Sequence, residues 1–126
     1  MLCFLAAASV SAAGERITGG DITRAFKGVT LDGIYFDGTY FTEVYHDDGT
    51  IRYWDADGAD NGGWSVREGR FCTFYAGQQG ACFFVVRDGD NCFTFYETED
   101  FESDWTSRGW NRAMEPTCPT PPEVAL

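Results

Sequence analysis

The side chains able to do chemistry in this chain of 126 residues are carboxylates, aromatics and cysteines, because Asp and Glu number 20 and there is a single histidine. A Ser-His-Asp or Cys-His site would have to use His46, and no Gly-x-Ser-x-Gly elbow presents a serine to it. His46 precedes Asp47-Asp48-Gly49, which reads as a surface turn at a strand end, an ordinary place for a histidine. No catalytic residue is assigned. One histidine and a set of cysteines suited to disulfides leave too few soft ligands for zinc.

Acids are so abundant that abundance cannot single out an acid/base pair. A glycosidase could place Glu43 and Glu97 on facing strands, with aromatics to stack on sugar, although nothing in their spacing selects them. Asp55, Asp57, Asp60 and Asn61 form an oxygen-rich stretch that is a weak calcium candidate. It fails the EF-hand pattern: glycine (Gly58) falls at the fourth place instead of the sixth, and no glutamate closes the loop. A solvated acidic hairpin tip is the reading taken, with no metal and no cofactor. Aromatics, at 17% of the chain, are the remaining lead. Inward side chains of a small barrel either fill it or leave room for one small ligand, and filling is the default in a short chain. If a pocket exists, Tyr45, Trp54 and Trp64 are the candidates for its mouth, since they flank or adjoin the longest acidic interruption.

The formal charge of −11 argues against a nucleic-acid partner, since a polyanion repels phosphates. Residues 1–13 are uncharged, with a short apolar run followed by small residues, and read as a secretion signal without a basic start. Removing them takes away Cys3 and leaves Cys72, Cys82, Cys92 and Cys118. Four cysteines in a short exported chain read as two disulfides. No later apolar run is long enough to cross a membrane as a helix.

The elements that must position these residues are short. Ile22 and Phe26, four apart, with Asp21 early and Gly28 just past the end, predict a two-turn helix capped by Thr18. Asp-Gly recurs at Asp32-Gly33, Asp37-Gly38, Asp48-Gly49, Asp57-Gly58 and Asp88-Gly89, a repeated hairpin signal between aromatic runs. Residues 55–63 read as a long loop that would bring Trp54 and Trp64 together. Tyr40, Thr42, Val44 and His46 share one strand face, and Phe41, Glu43 and Tyr45 the other. Both carry aromatics, so alternation does not say which face is inside.

Register selects the bridges. A three-residue loop at Asp88-Gly89-Asp90 puts Val86 opposite Cys92, too far from Cys82 for a bond. Cys72 opposite Cys82 needs only a short loop containing Gly77. Cys92 is left for Cys118, on parity alone. The sum is one mainly β domain over residues 14–115: a small antiparallel meander or barrel of about seven or eight strands with one N-terminal helix. A two-sheet sandwich is the alternative. Residues 116–126 form a proline-rich tail tethered at Cys118.

Thr18-Gly19-Gly20-Asp21-Ile22, Gly28-Val29-Thr30, Gly63-Trp64, Cys72 with Cys82, and Val86-Arg87-Asp88-Gly89 together resemble a group of small exported alphaproteobacterial proteins. The resemblance covers about two thirds of the chain and rests on structural motifs. It implies export and a paired-cysteine β meander, and implies no activity. The expectation is therefore a non-enzymatic binding or structural module of the cell envelope, in the periplasm or outside the cell, whose partner is a small ligand or an envelope protein. The alternative is a small carboxylate-dependent hydrolase acting on envelope glycan.

Overall fold

Aromatic and β-branched residues dominate the segments between glycine turns, and such side chains favour a pleated, half-buried backbone. The computed structural model describes residues 14–76 and 79–119. In it the chain runs β1 (Glu15–Ile17), α1 (Gly20–Phe26), β2 (Thr30–Tyr35), β3 (Tyr40–Tyr45), β4 (Thr50–Asp55) and β5 (Gly58–Arg67). It continues through β6 (Arg70–Tyr75), β7 (Ala81–Arg87), β8 (Phe93–Tyr96) and β9 (Ser107–Asn111). All pairings are antiparallel, and β7 pairing with β8 closes strands β2 to β9 into an eight-stranded barrel. That closure removes the free edges a sandwich would keep, so the fold is a barrel. The short β1 is the extra strand: it pairs with Val85–Arg87, continuing the β7 edge where β6 has ended. The secretion-signal reading of residues 1–13 and the end of the proline-rich tail lie outside the described residues.

Four local readings are corrected. The helix starts at Gly20 with Gly19 as its N-cap, and no side chain caps it, so Thr18 does not serve that role. Asp32-Gly33 is not a turn but the middle of β2, where a Cβ on Gly33 would meet the Phe41 ring at 2.3 Å. The glycine is there for close approach, not for a positive φ. The loop at residues 55–63 is mostly strand, because the β4–β5 hairpin turns at once after Asp55 and pairs Trp54 with Ala59. Trp64 therefore lies beyond the far end of β4, and the two indoles are not brought together. The β7–β8 connection is longer than three residues, so Val86 faces Thr94 and not Cys92. The shift is by two residues, which keeps every side chain on its face.

Both expected bridges form, the first from strand register and the second from parity. Cys72 and Cys82 are directly opposed on β6 and β7, and Cys92 joins Cys118. The second bridge is reinforced by Asn91, which is 1% exposed. Its side-chain amide donates to the carbonyls of Asn111, Met114 and Glu115, and its Oδ1 accepts from the Asn111 amide.

One end of the barrel is closed by α1. Ile22 and Phe26 are fully buried, and the Phe26 ring meets Phe71 and Phe93 with centroids 4.8 and 4.9 Å away. Burying such a ring removes enough apolar surface to stabilise by about 2–3 kcal/mol. Leu31, Ile51 and Val85 are buried in the same apolar cluster.

Candidate functional site

The opposite half of the lumen is not filled. Phe41, Glu43 and Tyr45 are the inward face of β3, which places a carboxyl among rings at mid-barrel. Cross-strand neighbours follow from the register: Glu43 pairs with Tyr53 on β4 and with Leu31 on β2. On β6, Tyr75 lies opposite Gly62, whose missing Cβ makes room for the Tyr75 ring at 2.7 Å. The result is a partly enclosed cavity of about 180 Å³. Phe41, Phe71, Phe83 and Phe95 give it apolar walls, Tyr35, Tyr75 and Glu43 its polar points, and Gln79 and Thr106 border it.

Glu43 is 9% exposed and every buried polar side-chain atom among the described residues has a hydrogen-bond partner. The Tyr45 hydroxyl donates to Glu43 Oε1 at 2.9 Å, and the Tyr75 hydroxyl donates to Oε2. Burial pushes the Glu43 carboxyl above its ordinary range, against the two tyrosine hydrogen bonds that favour its charged form. The phenols of Tyr45 and Tyr75 are raised in turn by burial and by the adjacent carboxyl, so both stay protonated and able to donate.

A second chain of hydroxyls leads outward. Tyr53 donates to Asp55 Oδ2 at 2.7 Å, so its own oxygen accepts from the Tyr35 hydroxyl at 3.0 Å. Asp55 is held below the usual carboxylate range by that hydrogen bond and by the Asp57 amide. Tyr35, Tyr53, Asp55, Asp60 and Tyr75 line a second recess that shares Tyr35 and Tyr75 with the main cavity. A half-buried carboxylate held below its usual range thus sits in the recess and a fully buried, raised one inside the main cavity.

Of the expected mouth residues, only Tyr45 lines this cavity, and it forms the floor between the apolar plug and Glu43. Trp64 points inward but packs behind it, against Tyr45 and Phe71 with centroids 6.2 and 6.1 Å away, and its Nε1 donates to the His46 carbonyl. Trp54 is on the outer face, in a surface recess with Thr42 and Trp110, because residues 55–63 fold as strand and not as a rim loop. Glu97 is exposed beyond the end of β8 and shares no cavity with Glu43. The calcium candidates do not converge. Asp55 accepts from the Asp57 amide, Asp60 from the Asn61 amide, and Asn61 from Arg52. Among the described residues no group of three or more His, Cys, Asp or Glu side chains could hold a metal ion.

Sequence reasoning missed Tyr35, Tyr53 and Tyr75. Their signal was present: Phe41-x-Glu43-x-Tyr45 puts one acid between two rings on one strand face, and a tight turn after Asp55 leaves Tyr53 two residues from the hairpin end.

No protein-family model matches this chain, and it matches neither a curated protein nor a solved structure.

Proposed function

We propose that this chain is an exported, disulfide-stapled β module of the cell envelope that binds a small ligand inside its barrel and catalyses nothing. The aromatic cavity around Glu43 carries this reading, because an apolar pocket with a few convergent polar groups and a perturbed carboxyl is the usual form of a ligand site. Two disulfides favour an oxidising compartment, and no described helix is long and apolar enough to cross a membrane. The resemblance to small exported alphaproteobacterial proteins supports the same compartment.

The raised Glu43 is the one observation that favours a hydrolase acting on envelope glycan. That mechanism needs a second carboxylate in the same concave site, and none of the other residues lining the cavity is acidic.

The test is native mass spectrometry of protein exported to a periplasm and purified without denaturant. The expected result is a mass about four units below the fully reduced chain, from two bridges, plus a co-purified small molecule. A bare protein whose melting temperature no small-molecule panel shifts would overturn the binding reading.

A further inference from the structure

We infer that the cavity takes a small organic cation: an ammonium group on a compact apolar body, held by the Glu43 carboxylate and the surrounding aromatic rings. This deepens the small-ligand reading and rests on it.

Three observations lead there. First, Glu43 is buried at mid-barrel, and the Tyr45 and Tyr75 hydroxyls occupy only two of the roughly four acceptor sites of a carboxylate. Second, neither lysine, arginine nor histidine lines the cavity, so any countercharge for Glu43 must arrive from outside. A buried carboxylate without one is costly, and a well-placed partner charge offsets part of that cost. Third, the walls are rings: Tyr35, Phe41, Phe71, Phe83 and Phe95 present the kind of surface that attracts an ammonium through its π electrons.

Size and field agree. About 180 Å³ suits a single ring or a branched alkyl group, since a cavity of about 150 Å³ holds benzene. The net charge of −11 concentrates cations around the protein and repels anions, and an anion inside the cavity would meet Glu43. A neutral guest offers the ionised Glu43 no countercharge.

The proton balance follows. The groups facing Glu43 are Tyr45 on its own strand, Tyr75 on β6, Tyr53 on β4 with Asp55 at its hydroxyl, and Tyr35 on β2. Only Asp55 among them is charged near neutrality. Burial pushes the Glu43 carboxyl above its ordinary range while an ammonium pairs with its ionised form, so affinity rises with pH through the range in which Glu43 titrates.

The experiment is calorimetric titration of the full chain with benzylammonium, benzyl alcohol and benzoate, which share one ring and differ in charge. It is run on wild type and Glu43→Gln between about pH 5 and about pH 8. Benzylammonium should bind at least about tenfold more tightly than the alcohol at the upper pH, with the margin shrinking as pH falls and vanishing in Glu43→Gln. Equal, pH-independent binding of the amine and the alcohol would overturn the cation inference and leave the small-ligand reading standing. No binding of any of the three would overturn both. Should Glu43→Gln fail to fold, the pH dependence of the amine in wild type, with the alcohol as its control, decides by itself.

Discussion

The two halves of the barrel interior solve one problem in opposite ways. Around α1 lies an apolar cluster with Ile22, Phe26, Leu31, Ile51 and Val85, side chains that are each at most 1% exposed. Around Glu43 the strands are the same and the rings as numerous, yet a carboxyl and several phenols stand where more methyl groups would pack. The first half stabilises the fold. The second gives up packing for a cavity and a polar network, which is a cost that stability alone does not explain.

The comparison breaks most easily at the plug. Phe26→Ala should lower unfolding free energy by about 3–5 kcal/mol, read from the urea midpoint, because the ring contacts four aromatics and the site cannot collapse around its loss. A smaller loss, below about 1 kcal/mol, would mean that the helix end is not the stabilising half.

Removing Cys92–Cys118 by a double serine change should cost about 3 kcal/mol, and removing Cys72–Cys82 somewhat less, since 26 residues separate the first pair and 10 the second. Paired denaturation curves check the order. The first change should also expose the Asn91 amides to hydrogen exchange.

Glu43→Gln sharpens the contrast through pH. The Glu43 pKa is raised in the folded state, so its favourable contribution is complete below the unfolded value of 4.5 and is lost as pH rises through the folded one. The variant should therefore gain on wild type from about pH 4.5 upward, within about 1–2 kcal/mol. Parallel melting-temperature profiles across that range would remove Glu43 from the account.

Asp32 supplies the opposite sign on the outer wall. Arg112 donates to both of its oxygens and, with Thr42, holds its pKa below 3.8. Its contribution is present above that value and fades as pH falls through the lowered one. Asp32→Asn should cost only about 0.5–1 kcal/mol at neutral pH, because Arg112 is half exposed, and almost nothing in strong acid.

Much of this was legible in the sequence, and the misses share a cause. Asp-Gly turns with aromatic runs between them are local signals, so the barrel class and the Cys72–Cys82 bridge could be read in advance, as could the helix from Ile22 and Phe26, while Cys92–Cys118 followed from parity alone. Asp32-Gly33 carries the same dipeptide, but the Phe41 ring across the strand decides its role, and that partner is visible only once β2 and β3 are paired. Trp54 and Trp64 were misplaced for a similar reason: a hairpin that turns two residues sooner converts a presumed loop into strand. The Glu43 network draws on β2, β3, β4 and β6. No short window contains it, because inward direction is a property of the closed barrel.

Closure itself depends on β9, the last strand among the described residues. It lies between β2 and β8, and Leu31 faces Asn111 across 80 residues of sequence. Until that segment is made, β2 keeps an open edge, Glu43 has no finished cavity, and Cys92 lacks its partner. Contacts this distant in sequence form slowly. Such a topology makes assembly a late event: the barrel cannot close, and the Cys92–Cys118 bridge cannot hold it shut, before the segment around β9 is in place.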